Sequence, residues 1–194
     1  MTKNTLILGD QNLVPTVSNI LSFEGFEVEA PTLEEFNPVD ATSGYLDPAL
    51  GFDVLVNCIT PTQTGDIHST TGKALLDSFK KDLFAYFVTI QKLLAVAPNM
   101  TIVNLTPGTT YRVSGDLTSD MFTFAAESFT RSLAHKGVDA YHLKYECSEE
   151  YVGVMLAQIL AKPVHTDTGV SIYDPGDIIA VAQVGDEINI SVTS

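Results

Sequence analysis

Residues 101–136 read TIVNLTPGTTYRVSGDLTSDMFTFAAESFTRSLAHK. The segment opens on an apolar run broken only by Asn104, passes through a loop of Pro, Gly, Thr and Ser, and then changes to helical spacing. The reading is a strand over 102–105 and a helix over 118–135. Strand, polar loop, helix is the repeating unit of an α/β layer fold.

The same unit recurs on both sides. Residues 1–30 hold an apolar strand at 5–8, a helix carrying Val14, Val17, Ile20 and Leu21 on one face, a stop at Gly25 and a short strand to Glu29. Residues 31–51 contain three prolines, two glycines and no strong period, and read as loop. The run Val54-Leu55-Val56 fits a strand covered on both faces of a parallel sheet. A helix is expected over 72–97, with apolar residues around too much of its circumference for one solvent face. A strand at 140–143, a helix at 149–161 and two alternating segments around Gly185-Asp186, read as a hairpin, complete the chain. The expectation is one domain over 1–194, a three-layer α/β/α Rossmann-like fold with a mostly parallel sheet, and a hairpin extension over 176–194.

In that order, several segments resemble the short-chain dehydrogenase/reductase family: IVNLT (102–106) resembles its IVNxSS, FTRSLA (129–134) its closing helix, FDVLVNCIT (52–60) its iDvLVNNAG, and TGVSIYDPGD (168–177) its TGQxIxVDGG. The resemblance implies an NAD(P)-dependent oxidoreductase scaffold, shortened and one strand short of the family norm. It also implies where the chemistry should sit. Counted from FTRSLA, the serine position falls on Thr106, the tyrosine on Ser119, the lysine on Thr123 and the relay asparagine on Asp82. A tyrosine acts as acid and base near neutral pH because a neighbouring ammonium lowers its pKa. Serine is too weak an acid for that, and threonine carries no charge. Tyr111 is the only tyrosine in 101–136.

The nucleotide loop departs in the same way. Where the family has TGxxxGxG, this chain has Gly9 followed by Leu13 and Pro15, with Asp10 adding charge where a phosphate would sit. Glu29, twenty residues after Gly9, occupies the place of an acid that binds ribose hydroxyls, and also reads as a surface acid. The expectation is that no cofactor is bound.

Composition bounds the remaining choices. The chain has 194 residues, 45 % of them hydrophobic, and a net charge of -14. It suits one globular domain. Its charge opposes nucleic acid and anionic membranes. No apolar run approaches a membrane span, and MTKNTLILGD enters a strand without a signal-peptide layout, so a cytoplasmic location is expected. Cys58 and Cys147 read as buried free thiols. His68, His135, His142 and His165 have no metal-ligand spacing, and no metal is expected.

The resemblance further implies that the helices over 72–97 and 118–135 pair with those of another subunit, burying Phe84, Phe87, Phe122, Phe124 and Phe129. The expected function is a non-catalytic subunit joined to an active short-chain dehydrogenase, as a heterotetramer. Two-component dehydrogenases of this kind are similar in pattern, among them the hydroxyacyl-CoA dehydrogenase of anaerobic toluene breakdown through benzylsuccinate. Two alternatives stand beside it. One is a diverged active reductase using Tyr111 and Glu29. The other is a ligand-binding module with Asn57, Thr60, Thr106 and Thr109 around a pocket at the carboxyl ends of the strands.

Overall fold

A computed structural model of the chain describes residues 2–32, 50–61, 65, 68–108, 117–161, 173–184 and 187–193. Tyr111, Thr109 and His165 lie outside them, as do 33–49, where the sequence leaves scarcely room for a further strand. The strands are β1 (Asn4–Gly9), β2 (Glu27–Glu29), β3 (Val54–Cys58), β4 (Thr101–Pro107), β5 (Ala140–Glu146), β6 (Ile178–Val184) and β7 (Glu187–Thr193). They form one sheet in the order β2-β1-β3-β4-β5-β6-β7, parallel throughout except for the antiparallel β6–β7 pair. The expected α/β fold with a mostly parallel sheet is therefore present. The C-terminal hairpin is continuous with it, because β6 pairs with β5 in parallel before turning into β7.

Helices cover both faces. On one face lie α1 (Leu13–Phe23) and α5 (Glu149–Ala161), packed over Ile7, Val56, Val103, Leu143 and Ile179. Gly153 lets α5 approach α1, since a Cβ there would sit 2.5 Å from Cδ1 of Ile20. On the other face lie α3 (Ala85–Val96) and α4 (Leu117–His135), over Leu6, Leu8, Leu55 and Ile102. Period-two alternation along each strand sends these two sets to opposite faces.

The expected single helix over 72–97 is divided. It begins as α2 (Gly72–Ser78), capped by Thr71, whose hydroxyl accepts from the Ala74 amide at 3.2 Å. It then widens into a π-helical segment over Phe79–Phe84 before continuing as α3. Hydrophobic spacing does not announce such a widening. Inside it Asp82 is buried, and Ser78 donates its hydroxyl to the Asp82 carboxylate at 2.6 Å. π-Turns within α-helices are frequent at functional sites.

Candidate functional site

The strand order reverses between β1 and β3, where ligands of open α/β sheets bind beyond the carboxyl ends. Gly9 ends β1 there with φ of 120°. A Cβ on it would lie 2.1 Å from the carbonyl oxygen of Cys58 and 2.5 Å from the hydroxyl of Tyr86. That hydroxyl donates to the same carbonyl at 3.2 Å. Gly9 thus serves the closeness of β1, β3 and α3 in this chain. Burial, then the neighbouring Asp10, pushes the Cys58 thiol up, so it stays protonated.

The start of α1 is closed to an anion. The Asn12 amide donates to the Asp10 carboxylate at 2.9 Å, and the Val14 amide to the Asp10 carbonyl at 2.9 Å. Pro15 has no amide hydrogen. Of the first three helical positions only Leu13 keeps a donor outside these bonds. The residues present do not fit a dinucleotide pyrophosphate, which needs such donors together with positive potential. The expected cause is corrected in one respect: the Leu13 side chain is buried in the α1–α5 core and does not obstruct the loop, while Pro15 is exposed. Glu29 closes β2, half-buried, in register with Leu6.

Beneath α4 lies a polar row of which the sequence reading named only Asn57 and Thr106. Asn57, Asn104 and His142 stand side by side on β3, β4 and β5, and Thr106 stands beside Lys144 on the same face. Asn57 donates to Oδ1 of Asn104 at 2.9 Å, and Asn104 donates to Thr130 of α4 at 2.9 Å. Oγ1 of Thr106 and Nε2 of His142 are 2.8 Å apart. Burial, then Lys144 and Arg131, pushes His142 down to about 3, so the ring is neutral near pH 7. Lys144 is 4 % exposed; its ammonium donates to Glu127 at 3.1 Å and lies 5.9 Å from the centre of the Phe124 ring. The alternation His142, Lys144 against Tyr141, Leu143 was readable in AYHLKYE, but no motif marks it.

Thr106 and Asn57 are therefore interior residues, 1 % and 0 % exposed, and do not line an open pocket as the ligand-binding alternative expects. Thr60 is half-buried beyond the end of β3. Thr123 donates to the Pro107 carbonyl at 3.4 Å, which sets it against the end of β4; Ser119 is half-buried about one turn earlier. None of Thr106, Ser119 and Thr123 titrates near neutral pH. Lys144 is the cation in register with Thr106, but it is held by Glu127.

The five phenylalanines divide. Phe84, Phe87 and Phe124 are 50 %, 42 % and 57 % exposed. Phe122 is 2 % exposed, packed with Ile59 and Ala126, and so is core rather than a surface residue. Phe129 is half-buried against Phe87, ring centres 5.0 Å apart. Leu76, Phe79 and Met121 join the exposed set. Counting phenylalanines along a helix could not separate Phe122 from Phe124. Among the described residues no helix is long and apolar enough to cross a membrane, and no three His, Cys, Asp or Glu side chains converge to hold a metal ion.

No family model matches the chain, and no curated protein matches it in sequence. Solved structures do. YwfH, an NADPH-dependent reductase involved in bacilysin biosynthesis, superposes with a TM-score of 0.67 at 13 % identity, over 93 % of this chain and 98 % of its own. A short-chain dehydrogenase/reductase from Serratia marcescens gives 0.63 at 14 %, over 81 % and 88 %. An oxidoreductase of that family from Burkholderia thailandensis gives 0.60 at 19 %, over 84 % and 77 %. The chain has the short-chain dehydrogenase/reductase fold, as its motif order implies. Identities this low establish the fold alone.

Proposed function

We propose that this chain is a non-catalytic subunit on a short-chain dehydrogenase/reductase scaffold that binds an active, NAD(P)-dependent dehydrogenase subunit through α2, the π segment, α3 and α4. The observation that carries the reading is one helical surface. Leu76, Phe79, Phe84, Phe87, Met121 and Phe124 are each at least 40 % exposed on that pair of helices. An apolar surface of this kind on a soluble domain marks an interface. At roughly 25 cal/mol per Å² of apolar area removed from water, covering it is a substantial driving force.

Two further features support the reading. The positions that carry acid/base chemistry in the resembling family hold Thr106, Ser119 and Thr123, and the start of α1 is occupied by its own Asp10. The net charge of -14 opposes pairing of two identical chains at long range and favours a less acidic partner. A heterotetramer of two active and two inactive subunits is the assembly proposed. The substrate class, of which a hydroxyacyl-CoA is one case by analogy with two-component dehydrogenases, is then set by the partner's site.

Light scattering tests this on the purified chain alone and on the chain co-expressed with the product of the neighbouring reading frame. A stable complex larger than either component is expected. A clean monomer in both samples overturns the proposal.

A further inference from the structure

A cavity of about 310 Å³ opens between the π segment and α4. Phe79, Phe84 and Phe87 form one wall, Ala125 and Phe129 the other, and Asn104 of β4 stands at the sheet end. The π segment supplies several of these side chains, and its widened turn sets their spacing. A dry apolar cavity of roughly 150 Å³ accepts benzene. This one holds about twice that, so a single aromatic side chain from a docked subunit would leave it half empty. Its size lies at the lower end of the range of small-molecule sites.

The sheet end is polar in a controlled way. Asn104 spends its carbonyl on Asn57 and one amide hydrogen on Thr130, which leaves its second amide hydrogen to donate. Next to it the fully buried Asn57 has a carbonyl oxygen without a partner. Among the described residues no Lys, Arg or His lines the cavity, and the chain is strongly acidic, so its described lining offers an anion no charge to pair with. We propose that this cavity is a binding site for a small uncharged, mainly aromatic or aliphatic molecule that carries one hydrogen-bonding group, seated on Asn104. The site is distinct from the carboxyl-end crevice between β1 and β3; because Phe79, Phe84 and Phe87 also belong to the surface proposed to pair, it is tested on the chain alone.

The test uses the full chain alone, with naphthol, naphthalene and naphthoate as probes, followed by calorimetry and probe fluorescence. Saturable one-to-one binding of naphthol is expected, with Kd on the order of tens of micromolar. Naphthalene, without the polar group, should bind about tenfold more weakly, and naphthoate weaker still. Ala125→Trp should fill the cavity and weaken naphthol binding at least about tenfold with the circular dichroism unchanged. If that variant does not fold, Ala125→Leu provides the milder filling. Absence of saturable naphthol binding, equal affinity for naphthoate, or binding insensitive to the filled cavity in a folded variant would each overturn the assignment. Failure of the assembly experiment leaves these outcomes untouched.

Discussion

Thr106 and His142 meet through Oγ1 and Nε2, 2.8 Å apart, on neighbouring strands where neither side chain reaches solvent. Thr106 is the residue that the motif count assigns to the serine position, and in the structure its hydroxyl is turned to a buried imidazole. That imidazole has a second nitrogen, Nδ1, without a partner. The ring is folded in its neutral form.

Acid should therefore unfold the chain through His142. Burial first, and the Lys144 and Arg131 charges after it, lowers the folded pKa from 6.5 to about 3. Between these values the unfolded chain binds a proton that the folded chain does not, so stability falls as pH falls through that window. The contribution is complete above pH 6.5 and has a slope of at most about 1.4 kcal/mol per pH unit. Urea midpoints of wild type and His142→Gln, measured from neutral pH down to the acid limit of folding, check it. Parallel pH profiles for the two proteins would show that another group governs the acid transition.

Gly9→Ala should be destabilising whether or not any nucleotide is present. The new Cβ would meet the Cys58 carbonyl at 2.1 Å and the Tyr86 hydroxyl at 2.5 Å, at a φ that L side chains rarely adopt. Strain and overpacking together cost on the order of 3 kcal/mol. Chemical denaturation measures this directly. An unchanged midpoint would mean that the glycine is kept for a ligand and not for the packing of β1 on β3.

Two neighbouring phenylalanines on α4 should separate stability from assembly. Phe122 is enclosed by Ile59 and Ala126, and its truncation to alanine should cost about 3–5 kcal/mol. Phe124 is more than half exposed and touches Lys144 only at the cation–π distance, so Phe124→Ala should cost below about 1 kcal/mol. Phe124→Asp and Phe87→Asp should in contrast dissolve the proposed complex, because each would bury an unpaired carboxylate in its interface. Thermal melts of the chain alone and light scattering of the complex read the two effects separately.

The layer order was legible because each strand is a short apolar run and each helix an amphipathic stretch, and both periods survive in a single sequence. The parallel sheet followed from Val54-Leu55-Val56, which has no polar face. What was not legible depends on contacts between distant residues. Phe122 and Phe124 have the same local composition, and it is the packing of Ile59, just past β3, and of Ala126 against Phe122 that marks it as the buried one. Leu13 fell in a motif position associated with a phosphate loop, yet the facing of α1 on α5 turns it into the core. The π widening at Phe79–Phe84 and the pairing of Lys144 with Glu127 likewise need the helix placed on the sheet before they exist as features.

Ser119→Tyr combined with Thr123→Lys should not produce a reductase. The pair would restore a tyrosine and an ammonium at about one turn's spacing on α4, which is the arrangement that lowers a phenol's pKa. Hydride chemistry would still need a dinucleotide held beside them. The Asn12 amide is bonded to Asp10, the Val14 amide to the Asp10 carbonyl, and Pro15 supplies none. Asp10→Asn removes the charge without adding a donor from Pro15, so it too should leave nucleotide binding weak. Calorimetric titration of both variants and of wild type with NADH and NADPH is expected to show no saturable heat in the micromolar range. Consumption of reduced nicotinamide with a panel of ketones should stay at the background rate. Micromolar affinity in wild type would instead return weight to an active reductase, and turnover in the double variant would mean that these two positions alone separate this chain from catalysis.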